Sequence, residues 1–423
     1  MAIKERKTLQ ALRGMVDILP EEQGYWRYVR EATVSVCEGY GYGQIDTPIL
    51  EDYSLFSRGV GEVTDIVEKE MYTITDKGGD TIALRPEATA AVCRAYLEHG
   101  LHNKPQPVRL YSVGMPMFRY ARPQAGRLRQ FHQINVEAIG DADATIDAEV
   151  VALCWQLFRK LGLKGLSLQL NSIGDPKCRP GYVEALRSYY SQQEDRLCRD
   201  CRSRLERNPL RLLDCKVPGC QPLIEGAPRS ADYLCEECQA HFQALTRYLG
   251  LMEVPFTREH RLVRGLDYYT RTVFEVQTSE EGQQNALGGG GRYDGLIEEL
   301  GGRPTPGVGF AVGMERVILN LKRQGIEPPA SPGTRVFVAY VGQEAKAQAV
   351  GLVSRLVRSG VSAMLGPAGK SLKAQLRQAG SMGVPYVLIL GDQELEKGVV
   401  VLRDMARREQ REVGLEEVIE QIR

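Results

Sequence analysis

The chain has 423 residues, and its 54 lysines and arginines balance 54 aspartates and glutamates, so the formal net charge is zero. Hydrophobic residues make up 43% and charged residues 26% of the sequence. This composition excludes disordered, collagen-like and coiled-coil proteins and favours roughly two or three folded domains. We expect a cytoplasmic protein with no membrane segment, because the sequence has no long apolar run, no signal-peptide core, and ten cysteines typical of reduced thiols or a bound metal.

The N-terminal part of the chain alternates between helix and strand patterns. Tyr25, Val29, Ala32 and Val36 recur near the helical period of 3.6, which indicates an amphipathic helix. The patterns predict, in chain order, a helix at 21–38, a short strand that ends at Pro48, a strand at 81–84, a helix at 87–97, and strands at 109–118 and 130–139. A polar, arginine-rich loop at 120–128 joins the last two strands, which therefore form a hairpin.

Composition changes in the middle of the chain, where cysteines cluster between about 175 and 258. Helical patterns at 182–190 and 238–249 within this stretch indicate a small inserted domain. Strand patterns resume at 270–278, and they are followed by a glycine run at 288–291, a segment at 307–313 and a helix that begins at Met314. We therefore expect a first domain over 1–330 that contains a helical insertion.

A second domain is predicted at the C-terminus. Pro328, Pro329, Pro332 and Gly333 have the composition of a linker. The predicted elements beyond it are strands at 336–341, 361–365, 386–390 and 399–403 and helices at 344–359 and 371–379. This βαβαβ pattern is typical of a small α/β domain, here over 331–423.

The hairpin region is strongly basic, since the 38 residues from 99 to 136 contain no Asp or Glu. Its cations include Lys104, Arg109, Arg119, Arg122, Arg127 and Arg129. Guanidinium groups match phosphate oxygens in bidentate geometry, which favours an anion site over a solvated basic loop. Strand alternation places Gln133 and Glu137 on one face and Ile134 and Val136 on the other. A polar strand face of this kind indicates a ligand that offers hydrogen-bonding groups.

Four segments resemble motifs of a known enzyme family. MFRYARPQAGRLRQFHQ at 117–133 resembles motif 2 of class II aminoacyl-tRNA synthetases, in its histidyl-tRNA synthetase version. RGLDYYTRT at 264–272 and ALGGGGRYDG at 286–295 resemble the two signatures of histidyl-tRNA synthetases. GVGFAVGMER at 307–316 resembles class II motif 3. The motifs occur in the family's order along nearly the whole chain.

The resemblance implies both a fold and a reaction. The fold is α/β, with an α+β catalytic domain built on an antiparallel sheet flanked by helices, and with an anticodon-binding domain at the C-terminus. The resemblance also implies a homodimer, with Pro48 in the motif 1 region at its interface. The implied enzyme activates L-histidine with ATP and Mg²⁺ to histidyl-adenylate, releases pyrophosphate, and transfers histidine to the 3′ end of tRNA(His).

The resemblance further implies roles for individual residues. Arg119 and Arg264 are the implied catalytic residues, Arg119 between the histidine carboxylate and the α-phosphate and Arg264 at the transition state. The implied ATP-binding residues are Arg119, Arg127 and Arg316, and those that face the acceptor end of tRNA are Arg122 and Gln124. The implied histidine-binding residues are Glu87, Ala88, Thr89, Gln133, Glu137, Arg264, Tyr268, Tyr269 and Tyr293.

Taken from the residues alone, several of these positions have a structural alternative. Glu87 and Thr89 suit a helix cap, and Tyr268 and Tyr269 suit an ordinary aromatic core, although they can also line a ligand pocket and offer hydroxyl groups to it. The four glycines at 288–291 suit a flexible linker. Because strand-forming residues bound this run, it favours close approach of the backbone to a ligand instead.

Two positions depart from the family's usual pattern. Ala121 stands where the family usually has a glutamate that contacts ATP, and Ala88 replaces the usual glycine between Glu87 and Thr89. We therefore expect the change Ala121→Glu to lower the Michaelis constant for ATP.

The cysteines leave two interpretations open. Cys198 and Cys201, like Cys235 and Cys238, have the C-x-x-C spacing of a zinc ribbon, but 33 residues separate the two pairs, which is long for a ribbon. Thiols in helical segments are often small buried hydrophobic groups. We therefore assign no metal from the sequence, and one structural zinc bound by these four cysteines is the alternative.

Two other functions compete with a ligase. One is a catalytically silent relative that senses histidine; the C-terminal domain and the arginines at 119, 264 and 316 argue against it. The other is a zinc-dependent RNA-binding protein, which leaves Tyr268, Tyr293 and the glycine run unexplained.

Overall fold

The computed structural model describes residues 8–61, 64, 66–124, 126–279, 285–330 and 333–422. The chain divides into two compact units, Met1–Pro329 and Ala330–Arg423. Pro332 of the predicted linker and Ala125 of the arginine-rich loop lie outside the described residues.

The described part of the first unit contains helices and strands that alternate along the chain. The α-helices are α1 (Gln23–Gly39), α2 (Tyr53–Val60), α3 (Thr89–Glu98), α4 (Ala144–Lys160), α5 (Arg179–Ser191), α6 (Arg199–Arg207), α7 (Gln221–Glu225), α8 (Glu236–Leu251), α9 (Leu296–Glu299) and α10 (Met314–Arg323). The strands are β1 (Gly43–Gln44), β2 (Leu50–Asp52), β3 (Tyr72–Thr75), β4 (Thr81–Leu84), β5 (Val108–Phe118), β6 (Gln130–Ile139), β7 (Leu166–Ser172), β8 (Thr257–Arg258), β9 (Thr270–Thr278), β10 (Ala286–Arg292) and β11 (Gly307–Gly313).

An eight-stranded sheet organises this unit, in the order β1-β5-β6-β11-β10-β9-β7-β8. The six central strands pair antiparallel, whereas the two-residue edge strands β1 and β8 pair parallel to their neighbours. Helices α1, α4, α8 and α10 cover one face and form the main hydrophobic core with it. The predicted antiparallel sheet flanked by helices is therefore confirmed, with parallel pairing added at both edges. A second, three-stranded sheet has the order β2-β4-β3.

Strand β6 shows how the two faces of the large sheet differ. Ile134 and Val136 lie in the main core, as the alternation predicted. Glu137 points to the opposite face, where its carboxylate meets α3. The sheet thus supports the core with one face and presents polar side chains with the other.

The most prominent helix that the sequence patterns missed is α4. Twelve of its 17 residues are buried. Because it is apolar on most sides, it lacks the single apolar stripe by which an amphipathic helix is predicted. The strand β7 that follows it was also missed.

The cysteine-rich stretch contains two kinds of segment. Residues between Tyr182 and Ala227 form a small hydrophobic core of their own. In contrast, Leu245 and Leu249 of α8 lie in the main core beside α4. The last helix of this stretch therefore anchors it to the large sheet.

The second unit contains a five-stranded sheet, in the order β13-β12-β14-β15-β16, with helices packed against it. Its elements are β12 (Val336–Tyr340), α11 (Gln343–Arg358), β13 (Ala363–Leu365), α12 (Leu372–Ser381), β14 (Tyr386–Leu390), α13 (Asp392–Glu396), β15 (Val399–Asp404), β16 (Glu409–Gly414) and α14 (Val418–Ile422). The predicted βαβαβ order is confirmed. The pattern missed β16, an edge strand whose residues are mostly polar and exposed.

Among the described residues, the helices are all too short or too polar to cross a lipid bilayer.

Candidate active site

The N-terminus of α3 holds a buried carboxylate. Glu87 accepts hydrogen bonds from the backbone N–H groups of Thr89 (2.8 Å) and Ala90 (2.9 Å). Glu87 therefore caps the helix, as the structural alternative proposed. The Tyr268 hydroxyl donates to the same carboxylate at 3.4 Å, and burial raises the pKa of Glu87. The cap is therefore also part of a polar cluster.

Glu137 lies at the centre of that cluster and is 2% exposed. Its carboxylate accepts hydrogen bonds from the Thr89 hydroxyl (2.7 Å) and the Tyr293 hydroxyl (2.6 Å). Burial raises the pKa of Glu137 to about 8, although these two hydrogen bonds oppose the rise. The site thus contains a carboxyl group whose charge changes close to neutral pH.

Three tyrosines line the space beside these carboxylates. The ring centroids of Tyr268 and Tyr269 lie 4.7 Å apart, and those of Tyr268 and Tyr293 lie 5.9 Å apart. All three side chains are buried. The rings supply apolar area, while the hydroxyl groups of Tyr268 and Tyr293 complete hydrogen bonds to the acids.

The glycine run belongs to a strand, β10, and is not a linker. A side chain at Gly291 would overlap the ring of Tyr269 and the neighbouring strand. A side chain at Gly309, on the adjacent β11, would overlap the carboxylate of Glu137. Glycine is therefore required where the backbone passes under the side chains of the polar cluster.

Two further residues of the implied histidine set lie nearby. The side-chain oxygen of Gln133 is buried and has no hydrogen-bond partner within the described chain. A buried acceptor without a partner is costly, and this one is on the polar face of β6. Ala88 is buried against Met115, Met117 and Phe131, in an apolar contact. Ala88 therefore packs against apolar side chains, whereas the side-chain oxygen of Gln133 can still accept a hydrogen bond from a ligand.

Arg119, which directly follows β5, is an arginine whose charge acts on Glu87. Its Nε donates to the Pro86 carbonyl at 2.9 Å, and its guanidinium lies over the Phe131 ring at 5.6 Å. Burial lowers its pKa, while Glu70 and Glu87 raise it. Over the part of the chain that the structure describes, the Pro86 carbonyl is the sole hydrogen-bond partner of the Arg119 guanidinium, so its outer nitrogens can still donate to a ligand.

Three more arginines surround the same space. Arg316, from α10, donates to the carbonyls of Gly126 (3.0 Å) and Ala286 (2.9 Å). Burial lowers the pKa of Arg316, while the charge of Glu275 raises it. The positive charges of Arg127, Arg119 and Arg264 lower it further. Four guanidinium groups therefore lie close enough to repel one another. Such a cluster favours a polyanionic ligand.

The loop of the hairpin projects beyond this cluster. Gln124 and Arg127 exchange backbone hydrogen bonds of 3.0 and 2.9 Å, which closes a tight turn. Arg122 and Gln124 are exposed. The structure thus places these two residues apart from the buried polar cluster, on the outer side of the loop.

Two acids near the arginines were missed by the sequence analysis. Glu70 accepts a hydrogen bond from Arg127 (2.6 Å), and Glu275 accepts one from Arg264 (2.5 Å). Neither lies in a quoted motif near its arginine, so spacing gave no signal for the pairing. Ala121 is buried, and its carbonyl accepts a hydrogen bond from Arg129 at 3.2 Å.

A supporting group lies behind the tyrosines. Arg179, the first residue of α5, donates to the carbonyls of Tyr269 (2.6 Å) and Gly174 (3.0 Å). Arg292, from the second signature, is fully buried and pairs with the equally buried Asp147 of α4. Arg292 thus anchors β10 rather than contacting a ligand.

The single zinc ribbon considered from the sequence is not formed. Cys198 and Cys201 lie with Cys215 and Cys220, whereas Cys235 and Cys238 lie with Cys178 and Asp175. The two C-x-x-C pairs therefore belong to two separate groups of potential ligands and do not face each other. Sequence spacing alone does not determine which cysteines meet in space.

Comparisons with known proteins agree with this geometry. The family model described as "Histidyl-tRNA synthetase" matches residues 14–199 and 223–317, and one described as "Anticodon binding domain" matches residues 335–423. A protein named histidine–tRNA ligase from Dehalococcoides mccartyi is 54% identical over 414 residues, 98% of this chain and 99% of its own. Another of that name, from Desulforamulus reducens, is 51% identical over 407 residues, 96% of this chain and 97% of its own. The crystal structure of apo S. aureus histidyl-tRNA synthetase superposes with a TM-score of 0.82 at 37% identity, covering 98% of this chain and all of that one.

Proposed function

Since the chain belongs to the histidyl-tRNA synthetase family and ligates histidine to tRNA(His) with ATP, we propose an assignment of its side chains to the two steps of that reaction. The buried hydrogen-bond network of Thr89, Glu137 and Tyr293, next to four clustered arginines, carries the assignment. An imidazole-bearing amino acid fits the network, and a triphosphate fits the arginines.

We assign the histidine substrate to the polar cluster. The side-chain oxygen of Gln133 accepts a hydrogen bond from the imidazole N–H, Glu137 lies at the other ring nitrogen, and Tyr268 and Tyr269 lie against the ring. Glu87, Ala88 and Thr89 surround the α-amino group, where the Glu87 carboxylate supplies the opposite charge. A pocket of buried hydrogen-bonding groups rejects apolar analogues by about 10⁴ to 10⁵, because its own groups stay unpaired with the wrong ligand.

We assign the activation step to the arginines. Arg119 lies between the polar cluster and the other guanidinium groups, so it contacts both the histidine carboxylate and the α-phosphate. Arg264 stabilises the charge that develops at phosphorus, and Arg127 and Arg316 hold the outer phosphates. Catalysis by this set is positioning and charge stabilisation, with the carboxylate of histidine as the nucleophile and pyrophosphate as the leaving group.

Mg²⁺ enters this proposal with ATP. It favours phosphate oxygens, carboxylates and water as ligands. The two acids beside the arginines, Glu70 and Glu275, are already paired with Arg127 and Arg264. We therefore assign no protein ligand to Mg²⁺, and the guanidinium groups neutralise phosphate charge themselves.

We assign the transfer step to the exposed hairpin loop and the second unit. Arg122 and Gln124 contact the acceptor end of tRNA. We propose that residues 1–330 are the catalytic domain, with the helical insertion at about 175–258, and that residues 331–423 bind the anticodon. The family model that matches 335–423 supports this division.

We also propose a cytoplasmic homodimer. Ile49 and Leu50, next to Pro48, and Ile74 are large apolar residues that are 43–47% exposed on or beside the three-stranded sheet. Apolar groups clustered on an exposed strand favour burial against another protein surface. Light scattering at micromolar concentration tests this; a mass of one chain contradicts it.

The functional assignment is tested by histidine-dependent exchange of labelled pyrophosphate into ATP. We expect exchange that needs histidine and Mg²⁺ but no tRNA, together with charging of tRNA(His). Exchange that proceeds equally with other amino acids contradicts the histidine pocket.

A further inference from the structure

Seven of the ten cysteines lie in two separate groups of four potential metal ligands. Within each group the ligand atoms all lie within 4.8 Å of one another. The thiolate cluster consists of Cys198, Cys201, Cys215 and Cys220, and the mixed cluster consists of Asp175, Cys178, Cys235 and Cys238. The ligase reaction proposed above uses neither group.

The thiolate cluster has the geometry of a tetrahedral site. The sulfurs of Cys198 and Cys215 lie 3.9 Å apart. A tetrahedron with metal–sulfur distances of about 2.3 Å has edges of about 3.8 Å. Backbone N–H groups also point at the sulfurs, from Cys198 to Cys220 (3.4 Å) and from Val217 to Cys215 (3.5 Å). Such donors stabilise a negatively charged sulfur ligand.

The mixed cluster repeats this arrangement with one carboxylate. The sulfurs of Cys178 and Cys238 lie 3.8 Å apart, and Oδ1 of Asp175 lies 3.6 Å from the Cys178 sulfur. The backbone N–H of Asp175 points at the same sulfur at 3.4 Å. Cysteine thiolates and aspartate carboxylates are both ligand types that zinc accepts.

The other three cysteines provide an internal comparison. Cys37 and Cys154 lie in the main core, and Cys93 lies in a second apolar cluster. None of these three belongs to a group of potential metal ligands among the described residues. They behave as small buried hydrophobic groups, which is the alternative considered for all cysteines. The remaining seven lie in a group of four and in a group of three beside Asp175, and all are free thiols rather than disulfides.

We propose that each chain binds two zinc ions, one in the thiolate cluster and one in the mixed cluster. Tetrahedral sites with four or three sulfur ligands select zinc or iron among common metals. The carboxylate in the mixed cluster favours zinc. The two sites close different parts of the cysteine-rich stretch, since the thiolate cluster lies within its small core and the mixed cluster joins the start of α5 to the start of α8.

The mixed cluster is also connected to the histidine pocket. Asp175 accepts a hydrogen bond from Arg271 at 3.1 Å, and Arg179, next to Cys178, holds the carbonyl of Tyr269. Arg271 has a φ of 49°, a left-handed conformation that is unfavourable for a residue with a side chain. A metal in the mixed cluster therefore stabilises a strained segment that carries Tyr269. The thiolate cluster reaches the pocket less directly, through Asn208, whose side chain donates to Asp267, the neighbour of Tyr268, at 2.9 Å.

Metal analysis of the full-length protein tests the proposal without any substitution. We expect two zinc ions per chain by mass spectrometry of the purified protein, and release of both when the thiols are titrated with an organic mercurial. The zinc X-ray absorption spectrum should fit, on average, three and a half sulfurs and half an oxygen per ion, since seven cysteines and one aspartate are shared by two ions. A chain with no zinc, with one zinc, or with iron in place of zinc contradicts the proposal.

Matched variants separate the two sites. Cys220→Ser should lose the zinc of the thiolate cluster, Cys235→Ser that of the mixed cluster, and each should retain the other ion. The control Cys37→Ala removes a thiol outside both clusters and should retain two zinc ions. A serine variant that retains two zinc ions contradicts the assignment of ligands. If a serine variant does not fold, the zinc X-ray absorption spectrum of the unsubstituted chain still tests the ligand sets.

The connection between the mixed cluster and the histidine pocket rests on the proposed function, and the Michaelis constant for histidine tests it separately. In pyrophosphate exchange, we expect Cys235→Ser to raise the Michaelis constant for histidine by on the order of tenfold, and by more than Cys220→Ser does. Equal effects on this constant contradict the positioning role of the mixed cluster. If the unsubstituted chain carries two zinc ions but shows no histidine-dependent exchange, the proposed function fails while the metal assignment stands.

Discussion

The two ends of the candidate active site are prepared in different ways. At the histidine end, Glu137 already has both hydrogen-bond donors in place, and its neighbours are fixed by β6, β10 and α3. At the phosphate end, Arg119 and Arg316 are held through backbone carbonyls, and their positive charges face one another. At the histidine end only the Gln133 oxygen among these groups still needs a partner, whereas at the phosphate end Arg119 and Arg316 have no ion pair within the described part of the chain.

This difference indicates where specificity and rate originate. A satisfied network of buried groups keeps its shape and discriminates among ligands by the hydrogen bonds that they restore. Mutually repelling guanidinium groups gain most from a ligand whose negative charge increases, which is the transition state of adenylation. We therefore expect changes at the histidine end to act mainly on the Michaelis constant for histidine, and changes at the phosphate end to act mainly on kcat.

The largest expected effect is that of Arg119→Ala. Removing one group that stabilises developing charge typically costs on the order of 10² to 10³ in rate. We expect kcat for pyrophosphate exchange to fall by that factor, with a small change in the Michaelis constant for histidine. Arg303→Ala removes an exposed arginine of the same unit and serves as the control. If Arg119→Ala changes only the Michaelis constant for histidine and leaves kcat unchanged, the proposed division between the two ends is wrong.

A smaller effect is expected from Glu137→Gln. The amide keeps the shape of the side chain, but its NH₂ end cannot accept a hydrogen bond from a hydroxyl donor. Leaving one buried hydrogen-bonding group without a partner costs about 1 to 3 kcal/mol, so the Michaelis constant for histidine should rise by roughly 10- to 100-fold at little cost in kcat. Tyr293→Phe, which removes one donor, should produce part of this rise. If kcat falls instead, Glu137 acts in the chemical step.

The sequence predicted the strands of this arrangement better than it predicted the partners of individual side chains. The strands at 270–278 and 386–390 and the polar face of β6 were predicted, because the residue period of a strand is a local signal. The partners Glu70 and Glu275 were not predicted, because Glu70 lies 57 residues from Arg127 along the chain, and Glu275, 11 residues after Arg264, lies outside the quoted motifs. The prediction for the cysteines was also incomplete, because spacing identified the C-x-x-C pairs but not the residues that each pair meets.

The stability of the histidine end should depend on pH. Folding raises the pKa of Glu137 from 4.5 to about 8, so between these values the folded chain holds a proton that the unfolded chain has lost. The contribution of this group to stability is therefore present at low pH and is lost as pH rises through about 8. Glu137→Gln lacks this term, and its unfolding temperature should fall less between pH 5.5 and 8, by on the order of a few degrees. Parallel pH profiles for the two proteins would show that Glu137 is ionised when folded.

The smallest expected effect concerns the acid that is absent from the phosphate end. Ala121 stands where the family usually has a glutamate, and Glu70, from a different segment, is the carboxylate that pairs with Arg127 and raises the pKa of Arg119. We expect Ala121→Glu to lower the Michaelis constant for ATP by a few-fold, the size of about 1 kcal/mol for one added contact.

Glu70→Gln tests whether Glu70 limits that gain. Glu70 already neutralises Arg127, so a second acid at position 121 should favour ATP binding more once the charge of Glu70 is removed. The two changes together should therefore lower the Michaelis constant for ATP by more than the sum of their separate effects in free energy. Additive effects would mean that the two acids act independently. An unchanged constant in Ala121→Glu would contradict the prediction itself, since the phosphate end would then bind ATP through its arginines without any help from a carboxylate at this position.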